Sequence, residues 1–229
     1  MSPTHDHPSF IIFGLELFNT AFRQSRFNLH DNQILARLEP FVVLIENTLY
    51  VESEAVLTAG LKAAPAILQC SVKTAPFSAP LISKQILSII RSMRSTESEI
   101  VQMALKSLAI TLQDSLTSNV KENDLLFLLE LLAPNLEDPS RQDSAFTLLH
   151  ALMVSRKLVP ELYDLMMTVS LMLITSQSMH APESARSPLL QFLLNYPQGS
   201  GRLQITLRAI YRSIMPLGGL ASWSCYTLS

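Results

Sequence analysis

An all-α chain of stacked antiparallel helix pairs is the fold class this sequence predicts, and three observations predict it. Apolar residues recur along most of the 229 residues at the three-and-four spacing of one buried helical face. Successive pairs of such stripes begin about 40 to 47 residues apart, the period of HEAT and armadillo-type repeats. Strand signals are nearly absent, because no run alternates apolar and polar residues between tight two-residue turns. The expectation is a HEAT/armadillo-like α-solenoid of about five antiparallel helix pairs. A closed bundle would carry the same stripes, but the monotonous order, with no helix placed as a central hub, favours the stack. Neither end carries a polar capping repeat, so an internal piece of a longer array is expected.

In chain order, the first helix spans about Pro8 to Arg23, with Phe10, Ile11, Phe13, Gly14, Leu17, Phe18 and Phe22 as a buried stripe broken only by Glu16. A second spans about Asn32 to Tyr50. Pro40 predicts a kink there rather than a stop, since Phe41, Val42, Leu44, Ile45 and Leu49 resume the pattern. Ser53 caps a third helix running to Cys70 and interrupted at Pro65. Pro76 and Pro80 mark a corner. The fourth helix follows it, with Leu81, Ile82, Ile86, Leu87, Ile89 and Ile90 inside and Lys84, Arg91 and Arg94 outside. Thr96 and Glu99 have capping-box spacing and open a helix to about Ser118 that buries Ile100, Val101, Ala104, Leu105, Leu108 and Leu112. Its partner, Asn123 to Pro134, is leucine on nearly every side and needs neighbours on both flanks.

The stretch Leu136 to Met167 predicts a loop, a helix, a corner and a second helix that together form one hairpin. Asp138 caps the first helix and Pro139 sits where its missing amide costs nothing. Ala145, Leu148, Leu149, Leu152 and Met153 make its buried face, and Ser155-Arg156-Lys157 leaves cations at the negative end of the dipole. Val159-Pro160 turns the chain into the stripe Leu162, Leu165, Met166, Val169 and Leu173. Pro182 begins a last helix containing Leu189, Leu190, Phe192, Leu193 and Leu194, ended by Asn195 to Gly199.

Composition narrows function. The chain is 48% hydrophobic and 16% charged, enough apolar material for a sizeable core. A formal net charge of -2 gives no overall electrostatic grip on nucleic acid, though a local basic stripe can stand inside a neutral total. The longest uncharged apolar run, Leu165 to Ile174, is far short of the roughly twenty residues of a membrane helix, so no span is expected. Met1 to His7 lacks the basic-then-apolar order of a signal peptide, and Cys70 and Cys225 fit a reducing compartment better than a disulfide scaffold. An intracellular protein is expected, with residues 1–7 disordered, 8–203 the helical repeats and 204–229 an atypical tail.

Candidate chemistry is thin. His5-Asp6-His7 has metal-ligating types, but no second ligand cluster lies in reach by sequence, and a polar N-terminus explains it. His150 reads as a half-buried structural histidine, and Cys70, beside no cation or histidine, as a small apolar filler. Gly199-Ser200-Gly201 lacks the preceding strand and the lysine-serine or third glycine of a phosphate cradle. Glu97, Glu99, Glu122 and Asp124 are explained by the dipole at helix starts. No nucleophile, base and orienting group converge by motif, so no enzyme, cofactor, metal or small-molecule substrate is expected. A binding surface remains. Arg141, Arg156, Lys157 and Arg186 fall near helix corners, and Lys84, Arg91 and Arg94 form one basic helix face that could meet RNA phosphate or an acidic partner. No aromatic residue interleaves with these cations, which weakens a single-strand RNA platform.

A family resemblance lies on the central stretch. Leu136-Glu137-Asp138-Pro139-Ser140-Arg141-Gln142, Ala145-Phe146, Ser155 to Val159, Pro160 to Met166 and Thr175 to Ser178 resemble the very large nucleolar HEAT-repeat scaffold family called down-regulated in metastasis. So do Leu35 to Val42 upstream and Leu190 to Pro197 downstream, so that the likeness covers most of residues 10 to 203. The resemblance implies a non-catalytic subunit of the small-subunit processome. Such a subunit wraps pre-ribosomal RNA and assembly proteins during pre-rRNA processing and 18S rRNA maturation in the nucleolus, and has no catalytic residues to transfer. A HEAT-repeat adaptor for transport or signalling partners is the alternative. Two departures stand out. Met179-His180-Ala181-Pro182 replaces the family's usual valine-arginine pair, and Pro188 inside the next helix is expected to bend it. The likeness stops after Arg202-Leu203. The segment Met215 to Cys225 lacks helical periodicity, and a frame shifted by one nucleotide over Ile210 to Leu228 is similar to how the family continues, so an out-of-frame ending is expected.

Overall fold

The structure, a computed structural model, describes residues 7–93, 98–113, 121–154, 159–175, 183–195 and Ile205. Among them the regular elements are helices: α1 (Pro8–Arg23), α2 (Asn32–Thr48), α3 (Glu54–Gln69), α4 (Ala75–Ser92), α5 (Glu99–Gln113), α6 (Glu122–Glu137), α7 (Gln142–Val154), α8 (Pro160–Thr175) and α9 (Arg186–Asn195), with one 3-10 turn at Glu183–Ala185. No strand occurs among the described residues.

The chain divides into two compact units, Met1–Lys121 and Glu122–Ser229. In the first, α3 packs on α1, α2, α4 and α5, while α2 packs on α4 and α4 on α5. Helices α1, α3 and α5 thus form one layer, and α2 with α4 the other. In the second unit α6 packs on α7 and α8, and α9 on α7 and α8. Extensive contacts join only helices next to each other in sequence or two apart, and the connections between neighbours are short, which makes the neighbours antiparallel. Each unit is therefore built by the side-by-side stacking of an α-solenoid, not as a bundle around one centre. Helices α1, α3, α5, α7 and α9 begin at residues 8, 54, 99, 142 and 186.

The frame of the hairpins differs from the sequence expectation. The pairs are α2–α3, α4–α5, α6–α7 and α8–α9, and the extensive contacts of α7 run to α6 and α9 rather than to α8. Leu136 to Met167 therefore straddles two hairpins. Helix α7 carries the apolar stripe expected of it, and on α8 Leu165 is half-buried while the Leu173 side chain lies outside the described residues; a stripe does not say which neighbour it meets. Ala145, Leu148, Leu149, Leu152, Met153, Leu162, Met166 and Val169 are all buried.

Prolines account for most boundary differences. Helices α3 and α6 pass through Pro65 and Pro134, as α2 passes through Pro40, and α4 starts at Ala75 and passes through Pro80. One lost amide bond is offset by the apolar face on both sides of the ring, which stays buried: Ala63, Ala64, Ala66 and Ile67 around Pro65, and Ala79 and Ile82 around Pro80. Pro188 lies in the first turn of α9, where amides have no partner within the helix, so it gives no cause for a bend. Ser53 occupies the cap position of α3 in extended backbone but makes no side-chain cap bond. Asp138 is not the cap of α7 and Pro139 is not its first residue, because residues 139–141 form a turn and the helix begins at Gln142; Asp138 closes that turn instead, with Ser140 donating to its Oδ1 from the amide at 2.9 Å and from the hydroxyl at 2.7 Å. These bonds hold the Asp138 carboxyl below its ordinary value. Gln142 Nε2 donates to the Leu136 carbonyl at 2.8 Å and binds the same corner to the end of α6.

Parts of two stripes expected inside are exposed, while Ile11 and Phe18 of the first and Ile82, Ile86, Leu87, Ile89 and Ile90 of the second are buried. On α1 only Ile11, Leu15 and Phe18 are buried, at the spacing that faces α3, whereas Phe10, at 75% exposure, and Phe13 and Leu17 face outward. On α4, Leu81 is half exposed. The capping partner Thr96 of Glu99, the stretch from 114 to Ser118, Pro182, the Gly199-Ser200-Gly201 corner and the tail from 206 lie outside the described residues.

Candidate interaction surface

The starting residue of α4 decides what its outer face contains. Because the helix runs through Pro80, Phe77 belongs to it and is 80% exposed, the highest value among the large apolar residues described. Phe77, Lys84 and Arg91 are spaced by seven residues, which on a 3.6-residue helix returns to within about 20° of the same direction and advances about 10 Å per step. All three are exposed, with Leu81 and Ser88 between them on the same stripe. The opposite side, Ala79, Ile82, Ser83, Ile86, Leu87 and Ile90, is buried and fixes the rotation of the helix. The α4 sequence contains two cations and no acid.

Helix α2 continues this surface. Two contacts set its register against α4. Glu39 of α2 accepts from the Lys73 amide at 2.7 Å and from the Thr74 hydroxyl, and Gln85 of α4 donates to the Leu49 carbonyl at the end of α2 at 3.1 Å. Residue numbers rise together between the two clasps, so α2 and α4 run parallel. Val43, one turn past Glu39, therefore lies level with Phe77, and Tyr50 lies level with Lys84. Val43 and Tyr50 are exposed. Exposed apolar and aromatic side chains thus stand on both helices, with the cations Lys84 and Arg91 on the α4 stripe and the acids Glu39 and Glu46 on the α2 stripe, an arrangement that reading Pro80 as a corner concealed.

The remaining predicted contacts are placed differently. Arg141 is half-buried and its Nε sits 3.1 Å from Asp138 Oδ2, so it belongs to the α6–α7 corner. Arg186 is the first residue of α9 and also half-buried. Arg94, Arg156 and Lys157 lie outside the described residues. Lys84 and Arg91 are thus the predicted cations the structure brings together on one exposed stripe.

The groups with nucleophilic or basic chemistry are structural in their surroundings. Cys70 is fully buried, its Sγ donates to the Ala66 carbonyl at 3.2 Å, and burial pushes the thiol up to about 11, so it stays protonated at neutral pH. His150 is half-buried and desolvation pulls its pKa below the ordinary 6.5. His7 accepts from the Ser9 amide at 3.4 Å as the cap of α1, and His5 and Asp6 lie outside the described residues. Among the described residues no three His, Cys, Asp or Glu side chains gather as a metal site, and no helix is long and apolar enough to cross a membrane. What the outer face offers is contact area and charge.

No family model matches the chain. It is similar to U3 small nucleolar RNA-associated protein 20 of Saccharomyces cerevisiae, with 30% identity over 195 residues that make up 84% of this chain and 8% of that protein. It is likewise similar to the protein of the same name from Schizosaccharomyces pombe, with 28% identity over 188 residues, 82% of this chain and 8% of that one. The chain spans 8% of the length of the curated relatives it matches.

Proposed function

We propose, because this chain belongs to the U3 small nucleolar RNA-associated protein 20 family, that it serves as a stretch of a non-catalytic scaffold in ribosome biogenesis. In this reading it is part of the small-subunit processome in the nucleolus, acts in pre-rRNA processing and 18S rRNA maturation, and has pre-ribosomal RNA and processome assembly proteins as partners. The observation that carries the reading is the similarity across 84% of the chain to a protein whose name places it with U3 RNA. The packing supports it. Stacked hairpins hold long helix faces in fixed register, and binding to such faces draws on area and scattered cations rather than on a pocket. The protonated Cys70 thiol and the half-buried His150 fit a role without covalent or acid–base chemistry.

Affinity purification of the tagged full chain from nucleolar extract, with and without RNase, tests the reading. The expected result is enrichment of U3 RNA and pre-rRNA together with processome proteins, part of which is lost on RNase treatment. A partner set without either RNA, unchanged by RNase, overturns it and favours a HEAT-repeat adaptor for transport or signalling.

A further inference from the structure

We propose that the corner between α1 and α2, where Arg23, Arg26 and Arg37 surround a cluster of stacked phenylalanines, is a contact site for single-stranded RNA. The site rests on the reading that RNA is among the partners of this chain, and it lies wholly within the first unit. The rings of Phe22, Phe27 and Phe41 stack on the buried ring of Phe18, with centroids 6.4, 5.8 and 5.3 Å away. One ring thus joins the end of α1, the loop after it and α2. Phe22, Phe27 and Phe41 are half-buried, so each keeps part of its surface open to solvent. Every arginine of the corner stands beside one of these rings: Arg23 follows Phe22, Arg26 precedes Phe27, and Arg37 lies one helical turn before Phe41. All three are exposed, and no carboxylate pairs with them among the described residues.

The backbone fixes the corner before any ligand arrives. Ser25 adopts a φ of 51°, the Arg26 amide donates to the Ala21 carbonyl and the Ser25 amide to the Phe22 carbonyl, each at 2.9 Å, which is the Schellman ending of a helix. That ending turns the chain so that Phe27 comes back onto Phe18. Arg26 Nε donates to Gln24 Oε1 at 3.3 Å, which leaves the outer nitrogens of its guanidinium for a ligand. The local charge is one-sided. Between Glu16 and Glu39 the chain carries three arginines, His30 and a single acid, Asp31, whose Oδ1 accepts from the Gln33 amide at 2.8 Å. Glu16 lies about 10 Å before Arg23 along α1. Glu39 and Glu46 stand about 200° and 180° around α2 from Arg37, on the side that Glu39 turns toward Lys73 and Thr74. Helix α4 has no acid, and Glu54, the acid of α3, opens that helix at its far end, beyond the contact of Gly60 with Thr48. The chemistry then selects RNA. A guanidinium fork pairs with a phosphate through two hydrogen bonds, and an open phenyl face stacks a base whatever its identity. The arginines stand on three differently directed segments, so a straight acidic helix cannot meet them together, whereas a strand free to turn at each nucleotide can.

The test is fluorescence anisotropy of a labelled oligouridylate of about twelve nucleotides with the purified full chain. Binding should weaken with salt, log K falling against log salt with a slope of about −2 for three phosphate contacts. Arg23→Gln, Arg26→Gln and Arg37→Gln should each weaken binding about fivefold at about 0.1 M salt and reduce the magnitude of the slope by about 0.7. Phe27→Leu, which keeps an apolar side chain against Phe18, should weaken binding about fivefold with the slope unchanged. Lys106→Gln, which removes an exposed cation of α5, should stay within about twofold of the unaltered chain. Unchanged melting by circular dichroism shows that the variants fold, and the salt slope of the unaltered chain reads the site without any substitution. A slope near zero, arginine variants that bind like the unaltered chain, or displacement by polyglutamate as readily as by unlabelled oligouridylate overturns the site. The oligonucleotide reads the corner alone, whereas absence of RNA from the affinity purification overturns the ribosomal role on which the site rests.

Discussion

A β-carbon on Gly60 of α3 would stand 2.2 Å from the hydroxyl oxygen of Thr48 and 3.0 Å from its Cβ. Thr48, in the last turn of α2, is fully buried and its hydroxyl donates to the Ile45 carbonyl at 2.7 Å, so neither the oxygen nor the carbon behind it has room to move. The α2–α3 hairpin closes on this contact. Gly60→Ala should destabilise the fold by about 1–3 kcal/mol, because overpacking at a backbone approach outweighs the helix preference of alanine. Gly14 provides the control: a β-carbon there meets nothing within 4 Å, so Gly14→Ala should stabilise by about 0.5–1 kcal/mol. Denaturant midpoints of the two variants should move in opposite directions.

Glu39 holds the turn before α4 through Lys73 and Thr74. Glu39→Ala should cost about 1 kcal/mol, the ordinary net worth of such hydrogen bonds near the surface. In a double-mutant cycle with Thr74→Ala the two losses should not add, since both remove the same contact. Full additivity would show that the clasp is absent in solution.

Cys70 should resist thiol reagents in the folded chain. With the thiol raised to about 11 and the sulfur buried, alkylation at pH 8 should leave Cys70 unmodified until denaturant exposes it, as read by peptide mass spectrometry. Rapid modification of the native chain at Cys70 would contradict the packing at the end of α3.

His150 sets a dependence on pH. Its folded pKa lies below the ordinary 6.5, so between these values the unfolded chain takes up a proton that the folded chain does not. Stability from this group is complete above about pH 6.5 and declines as the pH falls through the folded value. His150→Gln should flatten that acid limb of the Tm profile.

The sequence carried the fold class because helical periodicity survives without knowledge of partners. The stripes of α5 and α7 are buried residue for residue as their spacing requires. Three things were not legible. Proline at Pro65, Pro80 and Pro134 reads as interruption, yet each lies inside a helix whose buried face outweighs one missing bond. The pairing of α6 with α7 depends on which of two similar stripes a helix meets. The α1 stripe is apolar on two sides, and only Leu15 with Ile11 and Phe18 finds a helix to cover it. On the candidate surface, Lys84 and Arg91 were visible as a face, but Phe77 joined them only through the true start of α4, and Val43 and Tyr50 came level with that stripe only through the parallel register set by Glu39 and Gln85.

Phe10, Phe13 and Leu17, left facing water on α1, bear on how long the chain survives in a cell. Rows of bare aromatic residues are what chaperones clasp and what degradation machinery reads as the mark of an orphan subunit. The abundance of this chain should therefore follow the supply of whatever company covers that row.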